Sequence, residues 1–448
     1  MRRIRTLLLG LLLGAAALPA AGAFSPADVQ EHRLDNGLKI LLLRDASIPN
    51  IAYYTFFRVG SRNERPGLTG VSHFIEHMMF NGTAAIGPGE FDRRMEGLGG
   101  SNNAFTGEDI TAYTDWFPSG GLAEMTAMEA DRMRGISFEP EVFESERGVV
   151  ASERRMAVEN SNDGLLDEQL RATAIAAHPY PWGVIGRMSA NLSWRRPEVM
   201  DYFRLYYAPN NAVLGVVGDF EPAAALELVR RHYGDIPASP APPPVTTREP
   251  EAVAAKHVLL RRQAMTPLFK LAFRVPGTGD SDYFALELLD NILLKGESSR
   301  LHRRLVREEK LATAVTGGMP VNLDPYLFTI DVKPVAGADP ARIEAVIREE
   351  LERVRHEGVS AREYQKALNM RRAAFYDGLD SIGGKALQLG LAEIYHGGWR
   401  NLFTLADRYR SVPHEQVQTV ARKYFNPHTA TLAVDRKSTR LNSSHESP

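Results

Sequence analysis

His73, Glu76 and His77 stand at i, i+3 and i+4 in the stretch His73-Phe74-Ile75-Glu76-His77, and an α-helix brings those positions to one face. Neutral imidazole nitrogens suit Zn²⁺. Two of them one turn apart can share an ion, and a carboxylate between them can take a proton from water that the ion activates. That is the chemistry of a zinc hydrolase. The same five residues also fit a helix that merely carries two surface histidines, so the neighbours decide. Gly67-Leu68-Thr69-Gly70-Val71-Ser72 offers Thr69 and Ser72 as caps, and Phe74, Ile75, Met78, Met79 and Phe80 give the helix an apolar side. Once packed on that side, the helix would bury its polar face at a cost unless a cation neutralised it.

Two histidines leave a tetrahedral ion short of ligands. The stretch from Glu139 to Asn160 begins with Pro140 at a good first helical position and has no further proline, which predicts a long helix. Glu146 and Glu153 are two turns apart on it and lie near one face. Glu153 is the expected third ligand.

With these residues in place, the chain resembles the pitrilysin/insulinase family of zinc peptidases, the inverzincins, which includes the mitochondrial processing peptidase. That family has His-x-x-Glu-His followed about 75 residues later by a ligand Glu, and here Glu153 follows His77 by 76. The resemblance continues through Gly100-Ser101-Asn102-Asn103-Ala104-Phe105-Thr106, Thr111-Ala112-Tyr113, Pro181-Trp182-Gly183, Tyr206-Tyr207-Ala208-Pro209-Asn210-Asn211 and Val216-Val217-Gly218-Asp219. It implies that His73, His77 and Glu153 hold Zn²⁺, that Glu76 is the general base, and that Glu146 supports them catalytically. It also implies that Asn103 and Ala104 offer backbone groups to an extended peptide substrate by strand addition. An Asn-rich turn is the plain alternative for those two, and a solvated glutamate beside Arg147 is the plain alternative for Glu146.

Both ends of the chain stand apart from this pattern. Residues 1–23 read as a signal peptide, with Arg2, Arg3 and Arg5 before an apolar run and Ala21-Gly22-Ala23 as the cleavage site. An exported, soluble, periplasmic product is therefore expected. The chain has no cysteine, which excludes a disulfide framework, and beyond the leader it has no apolar run long enough to span a bilayer. Asp435 to His445 looks like translated sequencing-adapter DNA. The repeat relating Tyr207–Val217 to Phe425–Val434 stops there, so residues 435–448 are expected to be foreign. The formal charge of −2 becomes more acidic once both ends are set aside, and nucleic acid is not an expected partner.

With 44% hydrophobic and 24% charged residues, the chain is an ordinary globular one with room for two domains. The proline-rich stretch 236–251 divides it into 24–235 and 252–434. Phe57-Arg58-Val59-Gly60 and Phe273-Arg274-Val275-Pro276 end similar apolar strands. The expected fold is α+β, two duplicated α/β-roll domains of the mitochondrial-processing-peptidase-like metallohydrolase type. In the second, Leu289 and Leu293 are expected to replace His73 and His77, leaving a helix that is plain core. That half also departs from its family: Arg307-Glu308-Glu309-Lys310-Leu311-Ala312-Thr313 has Thr313 where the resemblance implies a tyrosine that, with the arginine, reaches the substrate. The expected assembly is a heterodimer with a homologous zinc-less subunit supplying Arg and Tyr, with a homodimer as the second arrangement. A non-catalytic scaffold subunit and a metal-buffering protein are the competing functions.

Overall fold

The computed structural model describes residues 24–437 except 263–266; the expected leader, and residues 438–448 of the expected foreign tail, lie outside the described residues. Two mixed sheets organise it. The first contains β1 (Val29–Arg33), β2 (Lys39–Arg44), β3 (Asn50–Phe57), β4 (Ser101–Thr106), β5 (Thr111–Pro118) and β6 (Ala212–Gly218), in the order β1-β2-β6-β3-β5-β4. The second contains β7 (Lys256–Arg262), β8 (Leu268–Val275), β9 (Ala312–Gly318), β10 (Tyr326–Pro334) and β11 (Thr431–Lys437), in the order β7-β11-β8-β10-β9. Without β1, the first order is the second one: in each, the last strand inserts parallel to the first and antiparallel to the next. This is the α+β duplication expected from the two apolar strand ends.

Local chemistry accounts for the first hairpin. Asp35-Asn36-Gly37 turns the chain between β1 and β2, with Gly37 at φ 91, where a side chain is disfavoured. The linker also has a fixed course. Glu249 accepts N–H groups from Ala176, Ala177 and His178 at 2.7–3.0 Å and pairs with Arg274 at 2.9 Å, which staples the proline-rich segment to both halves. At the C-terminal end, β11 runs through Asp435 to Lys437 in register with β7, past the point where the internal repeat stops. The Asp435 carboxylate is fully buried there.

The halves exchange equivalent helices. Five helices of the first half matter below: α1 (Val71–Met78), α2 (Glu90–Gly97), α3 (Leu122–Arg134), α4 (Pro140–Arg154) and α5 (Asn162–Ala174). Helix α5 packs on β7, β8 and β11 of the second sheet, while the helix Ile382–Tyr395 of the second half packs on β3 and β6 of the first. Ion pairs lock both crossings: Lys270 reaches Asp163 at 3.0 Å, and Glu393 reaches Lys39 at 2.6 Å and Arg58 at 3.0 Å. The second crossing is close enough to require a glycine, because a Cβ on Gly390 would lie 2.2 Å from the ring of the fully buried Phe56. Gly390→Ala is therefore expected to lower stability, although alanine is the better helix former by about 1 kcal/mol. Overpacking of this kind costs about 1–3 kcal/mol, and denaturant unfolding of the variant reads the net sign. A more stable variant would mean that this helix is not packed on the first sheet.

Candidate active site

Helix α1 places His73, Glu76 and His77 on its open face and buries Val71, Phe74, Ile75 and Met78 on the other. Its start is fixed from outside. Glu64, itself buried, accepts the N–H groups of Gly70 at 2.7 Å and Ser72 at 2.9 Å; burial pushes its carboxyl up to about 8 against those two bonds, so it serves the helix start as a hydrogen-bond acceptor. Thr69 and Ser72, the caps expected from sequence, do other work: Thr69 Oγ1 accepts the Arg187 N–H and Ser72 Oγ bonds the Tyr202 hydroxyl. The capping carboxyl comes from an earlier turn, so the adjacent residues carried no signal for it.

Helix α4 starts at Pro140 and ends at Arg154, where a π-helical turn, Arg155–Glu159, takes over two residues after Glu153. The buried Arg154 pairs with Glu168 of α5 at 2.8 Å. Arg147 donates to the Leu192 carbonyl at 2.9 Å and lies over the Phe143 ring. These anchors set the rotation of α4 and aim Glu146 and Glu153 at α1.

Glu153 Oε2 lies 3.7 Å from His73 Nε2 and 3.5 Å from His77 Nε2. A tetrahedral zinc with bonds of about 2.0–2.1 Å spaces its ligand atoms by roughly 3.3 Å. Glu153 Oε2 is buried without a hydrogen-bond partner. Burial, reinforced by neighbouring His77, pushes the His73 imidazole down to about 4, so His73 is neutral and free to offer Nε2 as a ligand atom. The three residues fit a metal ion, and they form the one group of this kind among the described residues. His77 Nδ1 bonds Glu146 Oε1 at 2.7 Å, which turns Nε2 toward Glu153, and Asn81 Nδ2 holds Glu146 Oε2 at 2.9 Å. Glu146 thus orients a histidine and is not a solvated side chain. Glu76 accepts a hydrogen bond from Thr106 at the end of β4.

Asn103 and Ala104 lie on β4, the edge strand, which pairs with β5 on one side. The expected alternative of a turn does not hold. A cleft of about 720 Å³ runs along this strand, bounded by Asn103, Ala104, Glu76, His77 and Glu146. The strand edge, Glu76 and His77 therefore share one opening.

Residues 39–186 match the model of "Insulinase (Peptidase family M16)", and residues 193–371 match "Peptidase M16 inactive domain". The zinc protease PqqE of Helicobacter pylori is 30% identical over 357 residues, 78% of this chain and 79% of that one. The chain belongs to peptidase family M16. A solved structure of a Helicobacter pylori protease superposes with a TM-score of 0.87 at 27% identity, covering 91% of this M16 chain and 99% of that one. Subunit 1 of the human mitochondrial cytochrome b-c1 complex is also similar, 27% identical over 289 residues, 63% of this chain and 60% of that one.

The second half of this M16 chain corrects one expectation. Leu289 and Leu293 are fully buried in the helix Tyr283–Leu293, but that helix is not plain core. Glu287, Asp290 and Asn291 repeat the i, i+3, i+4 spacing of His73, Glu76 and His77. Arg371 lies 3.0 Å from Glu287 and 3.6 Å from Asp290, and Lys295 lies 3.4 Å from Asp290. Side-chain cations balance the carboxylates of this helix, so it needs no metal. Arg307 pairs with Glu297, and Thr313 Oγ1 donates to the Lys333 carbonyl at 3.1 Å; both side chains are engaged within their own half.

Proposed function

We propose that this chain is an exported zinc-dependent endopeptidase that hydrolyses peptides or unfolded chains, and that it is the catalytic subunit of a heterodimer. One observation supports the reading: Glu76 and His77, the latter one of three residues whose ligand atoms converge, line the same cleft as the edge strand β4. His73, His77 and Glu153 would hold the ion. When bound, Zn²⁺ polarises the scissile carbonyl and lowers the pKa of water in its open position. Backbone groups of β4 near Asn103 and Ala104 hold the substrate as an added strand. Glu76 takes the proton of the attacking water and delivers it to the leaving amine, while Glu146 keeps His77 in the tautomer that presents Nε2. The partner follows from Thr313, which is too short to act where a tyrosine is expected, and export follows from the leader-like residues 1–23. A solved structure of similar fold is that of the periplasmic protease PqqL of Escherichia coli, 18% identical, of which this chain covers 48%.

A scaffold role is favoured by the likeness to the cytochrome b-c1 subunit. Cleavage of an internally quenched, unstructured peptide separates the readings. The zinc-loaded chain from Phe24 onward is expected to show little turnover alone, and chelator-sensitive turnover when co-purified with a homologous subunit carrying the Arg-Tyr pair. Full activity alone would refute the heterodimer and favour a self-sufficient monomer or homodimer. Inactivity with every such partner would favour the scaffold.

A further inference from the structure

Thr106 is the last residue of β4, and its hydroxyl donates to Glu76 Oε2 on α1. A threonine O–H has one proton to give and a buried carboxylate holds it tightly, so the bond fixes one oxygen of Glu76 and leaves Oε1 for the reacting water. The junction is held from behind as well. Thr106 pairs in register with Thr111 of β5. Thr111 Oγ1 donates to the Val59 carbonyl at 3.0 Å and lies 3.3 Å from the Tyr207 hydroxyl, which in turn donates to the Ser72 carbonyl of α1 at 3.1 Å. Strand end and helix start are therefore tied together by two separate routes. Only the Thr106 route touches the base.

The second half supplies a contrast. The end of its edge strand β9 has Gly318 where β4 has Thr106, beside Asp290, which occupies the place of Glu76 by spacing. A Cβ on Gly318 would lie 2.4 Å from Asp290 Oδ1. No side-chain hydroxyl fits at that junction, and Lys295 serves the carboxylate instead. A hydroxyl at the strand end accompanies the half that has the histidines.

We infer that Thr106 is a positioning residue for hydrolysis: it couples the strand that receives the substrate to the carboxylate that moves the proton, so that the scissile bond and Glu76 Oε1 keep one separation. This rests on the peptidase reading for the role of β4. Thr106→Val keeps the shape and β-branching of the side chain and removes the donor. In the form of the zinc-loaded protein that hydrolyses peptide, kcat is expected to fall about 10- to 100-fold, as a misplacement on the order of 1 Å can cause, with KM changed less than about twofold. Zinc content is expected to stay at the wild-type level, and Thr106→Ser, which restores the O–H, is expected to recover most of kcat. Unchanged kcat in Thr106→Val, or a serine variant as impaired as the valine one, would overturn the assignment. Crystal structures of wild type and Thr106→Val provide a readout independent of turnover. Glu76 Oε2 should lie on Thr106 Oγ1 in the first and rotate away in the second; the same Glu76 rotamer in both would overturn the inference. A wild-type protein that cleaves nothing with any partner would refute the peptidase reading, and the two structures would still judge the Thr106 bond.

Discussion

Glu76→Gln is expected to abolish peptide turnover while the protein keeps its fold and its zinc. Glutamine matches the size of Glu76 and still accepts the Thr106 hydroxyl, so α1 and β4 stay joined. It cannot accept the proton of an attacking water. General-base catalysis contributes about 10²–10⁴-fold, and kcat should fall by that factor in single-turnover cleavage. Glu76 is outside the ligand group of His73, His77 and Glu153, so bound zinc measured by atomic absorption should match wild type. The pH profile gives a second reading. Burial raises the Glu76 pKa above its usual 4.5, the Thr106 bond and His77 act against that, and Glu153 adds to it. Because the base must be ionised, activity should fall as pH drops through this raised value. Retained turnover would place the base elsewhere. Retained zinc with lost turnover would also exclude metal buffering as the role of the site.

The short-range half of this site was legible in the residues alone. The spacing of His73, Glu76 and His77 is a property of one helix, and Pro140 marks the start of the next, so both elements could be drawn from local rules. What was not legible depends on contacts distant in sequence. Glu64 caps α1 from a preceding loop, Thr106 reaches Glu76 across 30 residues, and Arg154 is fixed by Glu168 of another helix. Nor did any local pattern assign α5 and Ile382–Tyr395 to opposite sheets, since an apolar helix face does not name the sheet that will cover it. The buried polar residues of Tyr283–Leu293 went unread for a related reason. Every residue of that helix is buried, so its leucines lie on all sides, and the apolar pattern hides the polar positions Glu287, Asp290 and Asn291, whose spacing repeats that of His73, Glu76 and His77.

Glu146→Gln is expected to weaken zinc binding and to move its pH dependence downward. Burial alone would lower the His77 pKa, but the bond and charge of Glu146, with Glu153 and Glu76, outweigh it and hold the imidazole above its usual 6.5. Glu146 is held below 4.5, first by its bond to His77 and against its own burial. In the metal-free protein, the contribution of His77 to stability is complete below its unfolded pKa and is lost as pH rises through the raised folded value. The contribution of Glu146 is present above its unfolded pKa and is lost as pH falls through its lowered one. Zinc competes with the His77 proton, so affinity should rise with pH through the raised His77 value. His73, pushed down to about 4 by burial, is already neutral there and adds no dependence. Glutamine keeps an acceptor for Nδ1 but removes the charge. The His77 pKa then falls and the affinity midpoint moves to lower pH. Loss of the anionic partner weakens the imidazole as a ligand, and affinity at the alkaline plateau should drop about 10- to 100-fold. Competition with a chromophoric chelator between about pH 5.5 and about pH 8.5 covers the range in which imidazole titrates and measures both effects. A midpoint that stays in place would show that Glu146 does not control the His77 proton, and an unchanged plateau would show that its charge does not reach the metal.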